Sequence, residues 1–375
     1  MPRAKHEGSI FKYNGRWIGA IDLGYVDGKR KKRRVRGATQ KEVRDKLARL
    51  VEKRDKGVPL GDGRVTVGAF LDRWLADYVK PNLRVSSYLS YESNVRVHFK
   101  SDDIGKIPLA RLTALDVNAF LNRMRAKGLA PGSVALLRMI LRAAIGKALK
   151  WGLVSYNVVT LSDSVRVPRF KANALTGEQG KAFIATAAGE RLEALFIVAI
   201  QLGLRQGEVL GLRWCDIDFD ARTLRVENAM HYTKGALLLG PTKTESSRRS
   251  LPVTALALDA LKAHRRRQQE ERLRMGPLWE DRDLVFCDEG GGPLGRSSLL
   301  KPFARILEKA KLPHMRFHDL RHSCATLLHA MKVPVATASL ILGHSNIRTT
   351  LALYSHVVGD MLEEARTAID SAHGA

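Results

Sequence analysis

Two stretches in the C-terminal half of the chain place charged side chains three residues apart. In "LGLRQGEVLGLRW" these are Arg205 and Glu208, and in "RFHDLRHSCATLL" they are His318 and Arg321. On a helix this spacing puts both members of a pair on one face, where they can act together. Taken alone, the first pair also suits an ordinary ion pair on a helix surface, and the second pattern is short.

Two further stretches add a lysine, a histidine and a tyrosine. "GPTKTESSRRSLPV" sets Lys243 near a strand end at a turn, and "LGHSNIRTTLALYSH" holds His344 and Tyr354. Ile347, Leu351 and Tyr354 are spaced i, i+4 and i+7, which is typical of an apolar helical stripe. Each residue alone therefore also suits a non-catalytic role: a solvated lysine, a core histidine or a packed aromatic.

Together these cations suit a phosphodiester under attack. The attack builds a pentavalent phosphorus with extra negative charge on its non-bridging oxygens. The guanidiniums of Arg205 and Arg321 can clamp those oxygens with fixed forks of donors that lysine cannot reproduce. The imidazoles of His318 and His344 can donate hydrogen bonds and move protons near neutral pH, while Lys243 can protonate the leaving alkoxide.

The natural nucleophile for such a site is Tyr354. A tyrosine hydroxyl has a pKa of about 10, so its proton must be removed or its phenolate stabilised by cations. The same residues do not suit a metal site, which prefers carboxylates, neutral imidazoles or thiolates. The sequence also lacks a G-x-x-x-x-G-K-[ST] phosphate loop and a G-x-S-x-G serine context. We therefore predict phosphoryl transfer through phosphotyrosine, without a metal or any other cofactor.

The composition predicts a polyanion as partner. Of 375 residues, 63 are Lys or Arg and 38 are Asp or Glu, which gives a net charge of +25. A field of this size favours nucleic acid, although ribosomal or membrane-surface binding would fit the same charge. The length suggests two or three domains, and the 45% apolar fraction is ordinary for folded protein.

Cysteine usage and the lack of apolar leaders predict a cytoplasmic protein. Cys215, Cys287 and Cys324 are scattered, without the paired spacing of a zinc site or a disulfide framework. The N-terminus "MPRAKHEGSI" has no apolar core of a signal peptide. The most apolar run, "LEALFIVAIQLGL", is too short to span a bilayer and predicts a buried helix.

The first segment predicts a small sheet backed by one helix. Tyr13-Asn14-Gly15 and Asp27-Gly28 are turn signals, and Thr39 with Glu42 forms a capping box that opens the helix. A basic run on the last strand could lay a β-ribbon into a DNA groove. A solvated face or an import signal is the alternative for this run. Its seven cations are Lys29, Arg30, Lys31, Lys32, Arg33, Arg34 and Arg36.

The second segment predicts a small bundle of four helices, which we place at 67–79, 86–99, 113–128 and 133–151. Pro81 is expected to stop the first helix. Basic side chains such as Arg123 and Arg138 could face DNA or only solvent.

The third segment predicts mostly helices with a small antiparallel sheet. Thr176 and Gln179 form a capping box, and Thr223 to Val253 alternates like two or three strands. The expected fold is thus mixed and mainly α. Its three domains are a sheet-and-helix domain at 1–58, a helical bundle at 65–157 and a larger helical domain at 170–375.

The order of six residues along the chain resembles the active-site set of the tyrosine recombinase, or phage integrase, family: Arg205, Lys243, His318, Arg321, His344 and Tyr354. The resemblance covers about residues 60–370 and is strongest in "GLRQGEVLGLRW", "FHDLRHSCATLL" and "LGHSNIRTTLALYSH". Leu202 stands where the family often has threonine, and Asn157-Val158 replaces the usual Asn-Pro at the domain junction. Neither departure touches the proposed chemistry, and His322 and His356 are expected to support it.

The resemblance implies a site-specific DNA recombinase of a temperate phage or integrative element. Its residues 1–58 would be an arm-type DNA-binding domain, and the bundle a core-binding (SAM-like) domain ahead of the catalytic domain. The reaction would pass through a 3′-phosphotyrosine and a Holliday junction in a homotetramer, which integrates and excises the element. The implied partners are double-stranded attachment-site DNA (arm and core), a host DNA-bending protein and an excisionase, in the cytoplasm and nucleoid of a bacterium.

Two rival functions remain at this level. A type IB topoisomerase uses similar arginine, lysine, histidine and tyrosine chemistry but reseals the same strand, and the N-terminal sheet and the bundle argue against it. A non-catalytic architectural DNA-binding protein is disfavoured because all six positions carry suitable chemistry. The tail stripe Leu362, Ala365 and Ile369 could dock on a neighbouring protomer or pack in its own chain.

Overall fold

The computed structural model describes residues 9–26, 29–55, 65–168, 173–233, 236–242 and 247–343, excepting the side chains of residues 23–31, 53–55 and 233. It divides into two compact units, Met1–Arg169 and Phe170–Ala375. Helices dominate both units and the sheets are small and antiparallel, as the sequence predicts. None of the described helices combines the length and apolarity needed to cross a membrane.

The predicted N-terminal sheet and helix are confirmed. The sheet has the order β1-β2-β3, with strands Ser9–Tyr13, Arg16–Val26 and Lys29–Gly37, and α1 spans Gln40–Asp55. Asn14 and Gly15 both have positive φ, of 46° and 74°, which is the two-residue hairpin turn that matches strand twist. The Glu42 amide donates to the Thr39 hydroxyl at 3.2 Å, so the predicted cap forms.

The second segment forms the predicted helical bundle. Its α-helices are α2 (Val67–Trp74), α3 (Lys80–Asn82), α4 (Val85–Asn94), α5 (Ala114–Ala126) and α6 (Pro131–Lys150), with π-helical turns at Leu75–Val79 and Val95–Phe99. Apolar side chains at helical spacing, among them Trp74, Phe99 and Phe120, are buried together in one cluster. This burial holds the helices against each other, since short helices are marginal alone.

Pro81 does not stop the first helix where the sequence predicts. The helix continues through Leu75–Val79 to Asn82, and Leu83 is the first extended residue. Proline lacks an amide proton and clashes with the carbonyl four residues back. The wider π-helical turn, in which the Lys80 amide donates to the Leu75 carbonyl, makes room for the ring.

Two basic side chains of the bundle are structural. Arg123 donates to both carboxylate oxygens of the buried Asp102, at 2.9 and 2.5 Å. Arg138 donates to the carbonyls of Val159 and Ser162, at 3.0 and 2.9 Å. Both arginines therefore tie helices to loops within the bundle.

The second unit is built mainly from helices: α7 (Gly177–Ala187), α8 (Glu193–Leu202), α9 (Gln206–Leu210), α10 (Ala255–Met275), α11 (Arg296–Lys309), α12 (Asp319–Ala330) and α13 (Val335–Leu342). The predicted stretch at Thr223 to Val253 forms four strands instead of two or three. They are β5 (Thr223–Val226), β6 (Asn228–Thr233), β7 (Ala236–Pro241) and β8 (Arg249–Pro252). β5 pairs with β8 and with the short β4 (Ile217–Asp218), while β6 and β7 form a separate hairpin.

Helix α8 runs through the centre of this unit, as its apolar sequence predicts. Every residue from Ala194 to Ile200 is buried, and Phe196 meets the rings of Phe183, Phe303 and Phe317 with centroids 5.9 to 6.5 Å apart. This aromatic cluster fixes α8 through Phe196 and also fixes Phe317, the residue before His318. Both segments lead directly into the candidate site.

Candidate active site

Arg205 lies at the start of α9, one turn of chain beyond the end of α8. Its Nη1 donates to Glu208 Oε1 at 2.6 Å and to the Ser247 hydroxyl at 3.3 Å. Its Nη2 donates to the Gly343 carbonyl at 2.8 Å. The predicted Arg205–Glu208 pair is therefore present. Glu208 is buried, so the pair is not an exposed ion pair on a helix surface.

Two glycines bring α9 directly onto strand β6. A Cβ at Gly207 would lie 2.8 Å from the Met230 carbonyl oxygen, and one at Gly211 would lie 2.7 Å from the Ala229 Cα. These gaps are too small for any side chain, so the glycines set the approach of helix and strand. The close packing fixes Arg205 and Glu208 against the β6–β7 hairpin.

Arg321 projects from α12 and is buried. Its Nη1 donates to the Gly203 carbonyl at 2.7 Å, while its buried Nη2 has no hydrogen-bond partner among the described residues. Burial, and then the nearby charge of Arg205, lowers the pKa of Arg321 to about 9. An unpaired buried guanidinium donor is costly, and an anionic oxygen is an acceptor that would satisfy it.

Arg249 on β8 is a third guanidinium in the site, and no sequence pattern singles it out. Its side chain is 8% exposed, whereas the neighbouring Arg248 is 55% exposed. Arg249 Nη2 donates to Glu208 Oε2 at 3.1 Å. The alternation of a strand would have placed one of the two arginines inward, but the sequence did not say which.

One buried carboxylate thus stands among three guanidiniums. Burial acts to raise the pKa of Glu208, but Arg249 and Arg205 outweigh it and the pKa lies below the ordinary value. Glu208 is therefore ionised at neutral pH and balances one of the three charges. Among the described residues, this leaves excess positive charge at Arg205 and Arg321, which favours a bound anion such as a phosphate.

The two histidines of "FHDLRHS" lie at the start of α12. The His318 and His322 rings are 5.3 Å apart and perpendicular. Although His318 is exposed, lost hydration and then the charges of His322 and Arg321 lower its pKa to about 4. The buried Asp319, held by the Arg316 guanidinium at 2.8 Å, fixes the first turn of the helix. His318 is thus neutral at pH 7 and can either donate or accept a hydrogen bond.

Three predicted catalytic residues, Lys243, His344 and Tyr354, lie outside the described residues. For Lys243 and His344, described residues nearby in the chain contact Arg205. Ser247, which follows residues 243–246, accepts from Arg205, and so does the carbonyl of Gly343, which precedes His344. The structure therefore brings together Arg205, His318 and Arg321, and the described residues Ser247 and Gly343 contact Arg205.

The basic residues of β3 divide between the two faces of the N-terminal sheet. Lys32, Arg34 and Arg36 alternate and are exposed, and Val35 between them lies on the side that meets Val43 of α1. Arg33 shares the helix side with Val35 and is half-buried. The side chains of Lys29, Arg30 and Lys31 are outside the description. The open face thus presents three cations in a row.

We expect Glu208→Gln to lower the free energy of unfolding by about 3 kcal/mol, because it leaves Arg249 buried with its charge uncompensated. Urea and thermal unfolding at pH 7 measure this change. The matched control is Glu178→Gln, whose carboxylate is exposed and bridges to Lys181, and which should leave the Tm unchanged. Equal stability of the Glu208 variant and the parent chain would contradict a buried ionised pair.

The same pair predicts a dependence on pH. The folded-state pKa of Glu208 lies below its unfolded value, so its contribution is complete above about pH 4.3. The contribution is lost as the pH falls through the lower folded-state pKa. The gap in stability between the parent chain and Glu208→Gln should therefore close in acid.

Two family models match the chain, and one of them spans the arginine site described above. Residues 173–359 match the model described as "Phage integrase family", and residues 66–125 match "Phage integrase, N-terminal SAM-like domain". A "Tyrosine recombinase XerC-like" protein of Caldanaerobacter subterraneus is 29% identical over 351 residues, which cover 88% of this chain and 90% of that protein. The ICEBs1 integrase of Bacillus subtilis is 23% identical over 364 residues, with coverage of 95% and 97%.

Solved structures share the fold. The Tn1549 transposon integrase in complex with transposon right end DNA superimposes with a TM-score of 0.70 at 23% identity, covering 83% of this chain and 100% of that one. A lambda integrase tetramer bound to a Holliday junction has a TM-score of 0.56 at 18% identity, with coverage of 94% and 96%. The matched domains and the arginine site agree, and the chain belongs to the phage integrase family of tyrosine recombinases, enzymes that break and rejoin DNA at specific sites.

Proposed function

We propose that Arg205 and Arg321 hold the scissile phosphate and that Tyr354 attacks it. The observation that carries this assignment is the buried Arg321 Nη2, which has no partner among the described residues. Nη1 of the same guanidinium is held by the Gly203 carbonyl, so the free edge is fixed in direction. Donors fixed in this way stabilise charge that develops in a transition state without reorganisation.

The proposed reaction exchanges one phosphoester bond for another. The Tyr354 oxygen forms a bond to phosphorus, and the bond from phosphorus to the 5′ oxygen breaks. Lys243 gives a proton to the leaving 5′ oxygen, and His318, neutral at pH 7, takes the phenolic proton. A bound phosphate raises the pKa of His318 from its low value, which improves it as a base. His344 donates a hydrogen bond to a non-bridging oxygen.

The covalent 3′-phosphotyrosine stores the cleaved linkage, so rejoining requires no energy cofactor. The 5′-hydroxyl of a partner duplex attacks it, and two rounds of exchange pass through a Holliday junction. We propose that four copies of this chain act in pairs. The lambda integrase tetramer on a Holliday junction, which shares the fold, supports that arrangement.

The other segments are proposed to bind DNA. The bundle at 65–157 would grip the core site together with the domain at 170–375. The sheet at 1–58 would bind a separate arm site through Lys32, Arg34 and Arg36, because phosphates favour a row of exposed cations. Bridging of arm and core sites would require a host DNA-bending protein, and an excisionase would set direction. The integrase names of the relatives support a phage or integrative element. The chain would act on DNA in the bacterial nucleoid.

A nicked suicide substrate tests this function. Cleavage near the nick releases a short fragment, so the chain should remain on the DNA as a band that survives SDS. The parallel incubation uses supercoiled plasmid without an attachment site, which a type IB topoisomerase would relax. We expect covalent capture on the suicide substrate and little relaxation of the plasmid. Absence of capture, or efficient relaxation of the plasmid, overturns the proposal.

A further inference from the structure

Arg249 joins three separate parts of the active site. Its Nε donates to the Ile341 carbonyl at 2.8 Å, its Nη1 to the Ser247 carbonyl at 2.9 Å and its Nη2 to Glu208 at 3.1 Å. The first contact lies at the end of α13, three residues before His344. The second lies at the residue that follows the segment bearing Lys243, and the third lies on α9 beside Arg205.

We infer that Arg249 is a positioning residue, which holds the segments bearing Lys243 and His344 in register with Arg205. This inference rests on the roles proposed above for those residues. Each nitrogen of Arg249 already has an acceptor, and the side chain is 8% exposed. Arg321 differs, because its Nη2 has none among the described residues. All three nitrogens of Arg249 are thus held within the protein, which suits a residue that acts through the groups it holds.

The fit around Arg249 is close. Gly343 has a φ of +62°, and a Cβ built there would lie 2.8 Å from Arg249 Nη1. The guanidinium therefore lies directly over the backbone of Gly343, whose carbonyl accepts from Arg205. A displacement of Arg249 would disturb the Arg205 contact and the chain leading to His344 together.

Lysine cannot replace this arginine. Its single ammonium can pair with Glu208, but it cannot reach acceptors that lie in three directions from a planar fork. Arg249→Lys thus keeps a buried cation next to Glu208 and removes the connection between segments. Misplacement of a reacting group by about 1 Å can cost about 10²-fold in rate.

The test compares two substrates for the full-length chain. One carries the ordinary scissile phosphate, and the other carries sulfur in place of the bridging 5′ oxygen, so that the leaving thiolate requires no proton. With saturating enzyme, Arg249→Lys should slow covalent capture on the ordinary substrate about 10²-fold and recover at least about tenfold on the sulfur substrate. DNA affinity should change less than about threefold.

Two controls separate the inference from the proposed function. Lys243→Ala must also recover on the sulfur substrate; if it does not, the role of Lys243 is wrong. Arg191→Lys is the matched structural control, because Arg191 pairs with Glu271 and the Cys287 carbonyl, outside this cluster. The other outcomes apply where Lys243→Ala does recover. The inference about Arg249 is then wrong if Arg249→Lys slows capture by the same factor on both substrates. It is also wrong if the capture rate of Arg249→Lys equals that of the parent chain or of Arg191→Lys.

Discussion

Tyr354→Phe should leave no detectable covalent protein–DNA product on a nicked suicide substrate, a loss of at least about 10⁴-fold. The substitution removes one oxygen and keeps the ring, so the apolar stripe that the sequence predicts is retained. Affinity for the same DNA in a gel-shift assay should be unchanged. This contrast separates a nucleophile from an aromatic that only fills space.

The matched control is Tyr232→Phe. Tyr232 lies on β6 in the same unit, is 69% exposed and has no proposed role. It should support covalent capture at the parent rate. Persistent capture by Tyr354→Phe would show that another side chain carries the DNA.

Arg321→Lys should reduce the rate of covalent capture by 10²- to 10³-fold, roughly what the loss of one fixed donor to a transition state costs. The arginine donates Nη1 to the Gly203 carbonyl, and in the proposed function its Nη2 donates to the phosphate. Lysine keeps the charge but has a single nitrogen for both tasks. Electrostatic attraction to DNA therefore survives while alignment does not.

Single-turnover capture with saturating enzyme measures this effect, and DNA affinity should change only a few-fold. Arg266→Lys is the control, because Arg266 is an exposed cation on α10 outside the cluster. A large loss of affinity in Arg321→Lys, with the single-turnover rate intact, would assign Arg321 to DNA binding instead of the chemical step.

The sequence predicts those parts of the site that depend on helical spacing. Arg205 with Glu208, and His318 with Arg321, are three residues apart, and periodicity alone places each pair on one face. Spacing cannot show that Glu208 is buried, because its burial depends on the packing of α9 against β6 and on Arg249 of β8, which come from other parts of the chain. Arg249 is missed for the same reason, since "SSRRS" does not reveal which arginine meets Glu208.

The fold follows a similar division. The bundle helices are predictable because their apolar residues recur with helical period and capping residues mark their starts, as at Thr113 and Asp116. The course of the helix through Pro81 is not, because a π-helical turn depends on local packing. The separate pairing of β5 with β8, and of β6 with β7, is also set by contacts between distant residues.

The carbonyls that aim Arg205 and Arg321 both belong to glycines that end helices. Gly203 closes α8 and Gly343 closes α13, with φ of 59° and 62° that other residues adopt at a cost. The carboxyl end of a helix carries partial negative charge, which suits a guanidinium. In evolutionary terms, selection on this site therefore acts on backbone conformation as well as on side chains. A mutation that replaced either glycine would change the direction in which an arginine side chain points, while every predicted catalytic residue stayed the same.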